Sequence, residues 1–406
     1  MGGGGVQRTV KFIKYLPSFG WEPIIVCADD KLYWARDETL LRELPKNLKI
    51  HRLPSLRPWR IRALLDKIFP KKLVDCLWES IFVPDDRIFW AIWAAMYALT
   101  LIRKENVKVI YSTSPPHSTH AGAFLLRKLT GIPWVADFRD PWTKAFLYRP
   151  PNRTVKKIHK TIENKLFSAD RVIFITKTIR AWYLSDTELN ARKCETIYNG
   201  YDGEDFTTLP PTKKKGEKIK MVHSGSFYGK YYPETFFSAL SMILAQDAKF
   251  KKIFTISFIG RMDQKIKENI TRLLGKNAVF YGLLPHKKAI KFIGGADINF
   301  LGLPLTHRTS YVITGKIFEY LAVKKPILAV VPSGEVSQII TSTRGGVVLT
   351  EKDTENLQHS LKRIILELKN TNNFSPDWGT ISQFERKNQT KQLARIFDEL
   401  TMVKKT

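Results

Sequence analysis

Acidic residues are scarce in this chain. Of 406 residues, 38 are Asp or Glu against 66 Lys or Arg, a formal charge of +28. Such an excess favours anionic partners: nucleic acid, anionic lipid or phosphorylated small molecules. It is also compatible with a merely solvated basic surface. Basic clusters stand at Arg57, Arg60, Arg62, Lys67, Lys71 and Lys72, at Lys156, Lys157 and Lys160, and at Lys213, Lys214, Lys215, Lys218 and Lys220. No zinc-finger spacing and no aromatic RNA-binding motif accompanies them, so nucleic acid is not expected as a partner. Cysteine is nearly absent. Cys27, Cys76 and Cys194 lie far apart, which excludes a disulfide framework or a thiolate zinc site and fits a reducing cytosol. No secretory leader is read at the glycine-rich start. No apolar run reaches the ~20 residues of a membrane span; the longest, Ile88–Ile102, has 15. It reads as a buried helix or, given Trp90, Trp93 and Tyr97, as one lying in a membrane interface.

What is present is alternation. Apolar runs of strand length alternate with helical stretches, the pattern of parallel α/β sheets. In the first half, strands are predicted at Glu22–Ala28, Leu48–Leu53, Val107–Thr113, Trp134–Asp137, Arg171–Thr176 and Glu195–Tyr198. Helices are predicted at Gln7–Leu16, Phe89–Lys104, Ser118–Leu129, Val155–Phe167 and Ile179–Ser185. The segment Asp202–Gly216, with Pro210, Pro211 and a lysine run, reads as a linker. The alternation then restarts, with strands at Ile219–Ser224, Phe254–Ile259, Ala278–Tyr281, Ile298–Leu301, Pro326–Val331 and Gly346–Leu349. Pro233–Ala245, Lys316–Ala322, Thr354–Lys369 and Phe384–Leu400 stand out as helices. The expected fold is α/β, with two Rossmann-like domains facing a central cleft. The first spans 1–203 and the second 204–383, followed by a final amphipathic helix. Ligands of such sheets bind at the carboxyl ends of the strands, so the loops there are where chemistry is sought.

Six segments carry polar residues at those places. Gly2–Gly5 precede a helix, where glycines permit close backbone approach and the helix start favours anions; a disordered start is the other reading. His117 and His120 follow the turn after Ser114-Pro115-Pro116. They serve as caps and structural groups or as substrate contacts; a metal site would need a third ligand that the sequence does not supply, and no metal is expected. Asp137 and Arg139 end a strand, as an acceptor-orienting pair or as a bracing ion pair. Asn199-Gly200 is a turn, at a hinge or in a cleft wall. Gly225, Ser226, Gly229 and Lys230 open the second domain as a strand–loop–helix, a diphosphate loop or a tight turn. Thr314, Gly315 and Lys316 begin a helix that carries Glu319 one turn in; an acid on an apolar helix needs a partner, either ribose hydroxyls or an internal cation.

Together the stretches GGGGVQR, VIYSTSPPHSTHAGAFLLRKLTGIPWVADFRDPW, IYNGYD, HSGSFYGKYYPE, FYGLLPH, TGKIFEYLAVKKPIL and QFERKNQTKQLARIFDEL resemble the family 4 glycosyltransferases of bacterial envelope polysaccharide synthesis, in order and spacing over nearly the whole chain. The resemblance implies the GT-B architecture, with the final helix over 384–406 packing back on the first domain, and a retaining, metal-independent transferase. Such an enzyme moves a sugar from a nucleotide-diphosphate sugar, its donor substrate, to a hydroxyl of a glycan or lipid-linked glycan, with no cofactor. It implies a cytoplasmic protein, with peripheral attachment to the inner face of the cytoplasmic membrane as an option for the basic surface. It places Gly3, Gly4 and Gly5 opposite donor phosphate and acceptor, and Asp137 and Arg139, with His117, at the catalytic acceptor side. Gly225, Lys230, Thr314, Gly315 and Lys316 fall at the diphosphate, and Glu319 at the ribose. Tyr311 stands where the family has the first of two glutamates, and Ser226 where many members have a phosphate-binding Arg, a role Arg261 is then expected to take. The strand that in the family precedes the glycine loop is missing from this sequence, which implies either a misplaced start or an impaired first sheet. Two further readings stay open: a sugar-nucleotide 2-epimerase of the same fold, and a truncated, non-catalytic binding protein.

Overall fold

The computed structural model describes residues 4–29, 39–55, 58–145, 148–207, 209, 217–229, 232–305, 310–353, 357–370 and 374–402. Its contacts divide the chain into two compact units, one of residues 1–198 and 387–406, the other of residues 199–386.

The first unit runs α1 (Gly4–Tyr15), β1 (Ile24–Asp29), β2 (Lys49–Pro54), α2 (Trp59–Ile68), α3 (Lys71–Ile81), α4 (Ile88–Glu105), β3 (Ile110–Ser114), α5 (Ser118–Thr130), β4 (Trp134–Phe138), α6 (Arg153–Leu166), β5 (Arg171–Phe174), α7 (Lys177–Asp186) and β6 (Cys194–Thr196). β3, β4, β5 and β6 form a parallel sheet in sequential order, and β1 pairs with β2 in a separate parallel ribbon. β4 is buried along its whole length, as expected of a parallel strand covered on both faces. Asn152 and Thr176 cap α6 and α7 by accepting from the amides of Val155 and Ile179. Arg127 of α5 grips Asp170 with two hydrogen bonds of 2.7 and 3.1 Å, and Asp170 also accepts from the Trp134 amide, which ties helix to sheet. α4 is only partly buried. Ala91, Ala94 and Ala95 are buried while Phe89, Trp93 and Met96 are exposed.

The second unit runs β7 (Ile219–Ser224), α8 (Glu234–Gln246), α9 (Ala248–Ile253), β8 (Phe254–Ile259), α10 (Gln264–Leu274), β9 (Ala278–Gly282), α11 (His286–Gly294), β10 (Ile298–Gly302), α12 (Lys316–Ala322), β11 (Ile327–Val330), α13 (Glu335–Ser342), β12 (Gly346–Leu349), α14 (Leu357–Lys369) and α15 (Trp378–Ser382). All six strands are parallel, in the order β12-β11-β10-β7-β8-β9. The central β10 and β11 are buried throughout, whereas the edge strand β9 ends exposed. Phe236, Phe237, Phe258 and Phe300 pack ring to ring in its core. Chain order reverses between β7 and β10, so their carboxyl ends flank the topological switch point where ligands of such sheets bind.

The last helix, α16 (Arg386–Met402), returns to the first unit. Its Leu393, Ala394, Ile396 and Phe397 join Phe12, Val135, Ile173 and Ile197 in one buried cluster, and Trp21 donates to Asp398. No helix among the described residues is long and apolar enough to cross a membrane.

Candidate functional site

In the second unit the site is built on two glycine turns. β7 runs into Gly225, whose amide donates to the Ile259 carbonyl at 2.6 Å. Gly260 follows β8 with φ +130°, and a Cβ there would lie 2.3 Å from the Gly225 oxygen. Only glycine satisfies both that backbone angle and that approach. The loop beyond is pinned by Phe227, which donates to the Arg261 carbonyl, and by Gly229, whose amide donates to Asp263 at 2.6 Å.

The Lys316 ammonium lies directly over Gly225, where an added Cβ would sit 1.8 Å from Nζ. No hydrogen bond or ion pair to this half-buried ammonium exists among the described residues. Burial pushes its pKa down to about 8, partly offset by the charge of Glu319. Glu319, one turn further along α12, is held by His286 of α11 (Nε2 to Oε1, 2.9 Å). Tyr320 is buried beside it. Its hydroxyl accepts from the Ser224 amide at 2.7 Å and lies 3.3 Å from the Phe300 carbonyl, which pins α12 across the ends of β7 and β10. Thr314 Oγ1 is buried without a hydrogen-bond partner among the described residues. Gly315 has open space at its Cβ position, so nothing steric demands glycine there. The Arg261 side chain is exposed, Tyr311 is buried, and Lys230 lies outside the described residues. His223, stacked 4.1 Å from Phe227, is driven by burial to a pKa of about 3 and is neutral. A cation over a glycine turn, next to a carboxylate held in place, suits a phosphorylated, hydroxyl-bearing ligand.

In the first unit, Gly4 and Gly5 begin α1. A Cβ on Gly5 would fall 2.0 Å from Nη1 of Arg139. Arg139 donates to the carbonyls of Ser114 (2.8 Å) and Pro115 (2.6 Å), and no carboxylate among the described residues pairs with it. A guanidinium with no ion-pair partner among the described residues, at the positive end of a helix, makes an anion-attracting corner. His117 stacks on Trp142 at 5.5 Å, and its Nδ1 has no partner among the described residues. Burial lowers its pKa to about 4 against the opposing charge of Asp85, so the ring is neutral at pH 7. His120 is committed to Ser112 at 2.7 Å. Asp137 is fully buried. It receives Arg8 through Nε and Nη2 at 2.8 and 3.0 Å, and Tyr111 at 2.6 Å. Arg8, equally buried, also donates to the Tyr198 carbonyl. The Asp137 carboxylate therefore holds α1 against β4.

Sequence reasoning assigned no role to Arg8, His223, Gly260, His286 or Tyr320. Two partner pairs span long separations, Arg8 with Asp137 and His286 with Glu319, and no local pattern announces them. Among the described residues no group of three or more His, Cys, Asp or Glu is placed to hold a metal ion.

Two Rossmann-like α/β units, the second with glycine turns at the ends of β7 and β8, have the architecture of the GT-B glycosyltransferases. The chain belongs to Glycosyltransferase Family 4, whose profile matches residues 2–205. By sequence alone, no curated protein matches it. Solved structures share the fold. A glycosyltransferase from Rickettsia africae ESF-5 superposes with a TM-score of 0.66 at 17% identity, over 98% of this chain and 95% of that one. Sucrose-phosphate synthase from Thermosynechococcus elongatus gives 0.65 at 13%, over 99% and 94%. The lipopolysaccharide outer core galactosyltransferase WaaB gives 0.58 at 14%, over 98% and 96%.

Proposed function

We propose that this glycosyltransferase is a retaining, metal-independent hexosyltransferase. It takes a nucleotide-diphosphate sugar on the second unit and passes the sugar to a hydroxyl of a glycan or lipid-linked glycan of the cell envelope, working at the cytoplasmic face of the membrane. The observation that carries the reading is the unpaired Lys316 ammonium over Gly225, with Glu319 beside it. As the glycosidic bond to the diphosphate breaks, negative charge builds on the departing oxygen, and a fixed ammonium stabilises that charge more than it stabilises the intact donor. This supplies the charge that a divalent ion would otherwise provide. Glu319, oriented by His286, accepts hydrogen bonds from the ribose hydroxyls. In this reading the first unit takes the acceptor: Arg139 and the start of α1 at Gly4 and Gly5 attract its anionic group or the donor phosphate. The neutral His117 accepts a hydrogen bond, and Asp137 acts as a positioning residue that fixes α1. Thr314 Oγ1 and the Arg261 side chain are further donors to phosphate, and Lys230 is assigned to the same loop.

The experiment is incubation of the protein with radiolabelled nucleotide sugars and a membrane extract, with Lys316→Ala and Glu319→Ala as variants. Label should enter the lipid fraction, and Lys316→Ala should lower kcat by ~10²–10³-fold, the usual effect of removing one charge-stabilising donor. Label recovered as an isomeric sugar nucleotide, or two variants that bind donor as the parent does, would overturn the assignment.

A further inference from the structure

α2 and α3 form an antiparallel hairpin closed at Phe69–Pro70, and each helix carries an apolar stripe that the fold does not use. On α2 the stripe is Ile61, Leu64 and Ile68; on α3 it is Leu73, Leu77 and Ile81, all six exposed, Ile68 to 63% and Leu77 to 54%. The spacings of three and four residues put each set on one helix face. The opposite faces hold the hairpin together. Val74 and Trp78 are buried, and Arg62 lies over the Trp78 ring at 5.6 Å while pairing with Asp75. The next helix, α4, is exposed in the same way and is joined to α3 by an aromatic chain. Phe82 stacks on Trp78 at 4.2 Å and meets Phe89 edge-on at 5.5 Å, and Phe89, Trp93 and Met96 are exposed along α4. Scattered surface leucines are ordinary, but exposed apolar faces on three successive helices mark a docking surface.

Charge selects the occupant. Between residues 57 and 81 the sequence has six cations, Arg57, Arg60, Arg62, Lys67, Lys71 and Lys72, against the acids Asp66, Asp75 and Glu79. Asp75 is taken by Arg62, whereas Lys67, Lys71 and Lys72 are exposed at the hairpin tip beside Phe69. Outward helix stripes edged with lysine, with Trp93 among the exposed rings, match a bilayer interface, where apolar side chains enter the acyl boundary and cations meet anionic headgroups.

We propose that the α2–α3 hairpin and the outer face of α4 dock the protein on an anionic lipid bilayer. The assignment stands without the transferase reading, because binding alone reads it. The test is co-sedimentation of the full chain with vesicles of phosphatidylcholine, or of phosphatidylcholine with phosphatidylglycerol, alongside size-exclusion chromatography. The parent should bind the anionic vesicles at least ~10-fold more tightly than the neutral ones. Ile68→Asp/Leu77→Asp should abolish sedimentation with its circular dichroism unchanged, and Leu283→Asp, an equally exposed leucine of the second unit, should leave it intact. Should the double Asp variant fail to fold, Lys71→Gln/Lys72→Gln, at two exposed positions, should still lose the preference for anionic vesicles. Equal binding to both vesicle types, binding retained in the variants, or a parent dimer that the Asp variant splits while vesicles stay unbound would each overturn the proposal.

Discussion

Lys316 illustrates how a residue can be costly to the fold and useful to the site. Its ammonium is half-buried without an ion-pair partner among the described residues, and burial depresses its pKa to about 8, from the ~10.4 of an unfolded chain. Between these values the unfolded chain binds more protons than the folded one, so this group adds stability as pH rises through that window and lowers it below about 8. Anion binding has the opposite sign, since it requires the protonated form. Affinity for a nucleoside diphosphate should therefore fall above about pH 8 by up to ~10-fold per unit. Isothermal calorimetry against a panel of nucleoside diphosphates checks this. In Lys316→Met the affinity should be low and flat with pH, while thermal stability at neutral pH holds or rises. A wild-type affinity that ignores pH, or a less stable methionine variant, would place the ammonium in an internal pair instead. Arg8 and Asp137 show the contrasting case. Both are buried, but they are bidentate partners, so the pair keeps its charges by satisfying them inside the fold.

At the scale of elements, the strands were the most legible part of the sequence. Ile219–Ser224, Phe254–Ile259 and Gly346–Leu349 occur with the bounds their apolar runs predict, as does the helix Lys316–Ala322. Boundaries drifted where a ladder partner, not composition, sets the end. Val107 and Val109 alternate with Lys108 as a strand would, but pairing begins at Ile110, opposite Trp134, the first residue of β4. The segment Arg57–Lys72 reads as a cluster of charge, yet it contains α2 and the start of α3, whose apolar residues at spacings of three and four are interleaved with those charges. Of the candidate site, the Gly225 turn and Lys316 were legible from strand–loop–helix order, whereas Gly260, whose need for glycine comes from its approach to Gly225, was not. The tie between Glu319 and His286 was not, because it depends on α11 and α12 meeting in space. Glycine 122 is another position whose meaning is tertiary. It sits in the middle of α5, where alanine would be favoured by ~1 kcal/mol of helix propensity, but an added Cβ would stand 2.7 Å from the Ala91 carbonyl of α4. Backbone does not yield cheaply, and overpacking costs ~1–3 kcal/mol. Gly122→Ala should therefore lower the urea midpoint despite its better propensity; a higher midpoint would mean that α4 shifts freely against α5.

The molecule as a whole is divided unevenly along its chain. The second unit is one continuous stretch, residues 199–386, with its own phenylalanine-rich core, whereas the first is completed only by residues 387–406. In the first unit, Phe12, Val135 and Ile173 are covered by Leu393 and Phe397 of α16, and loss of a buried leucine alone costs ~2–5 kcal/mol. Expressed separately, residues 199–386 should unfold in a single cooperative urea transition and keep the nucleoside diphosphate affinity that Lys316 and Glu319 confer. Residues 1–198 should be aggregated or molten, and should recover a cooperative transition once 386–402 is fused to their end. Tryptophan emission is a selective probe of the first unit, because nine of the ten tryptophans lie outside 199–386, with Trp378 the exception. A fragment 1–198 that folds unaided would mean that the cluster around Phe12 closes without α16. A fragment 199–386 that folds but binds no nucleotide would instead move the donor site off the Lys316 turn, and with it the charge argument on which the proposed chemistry is built.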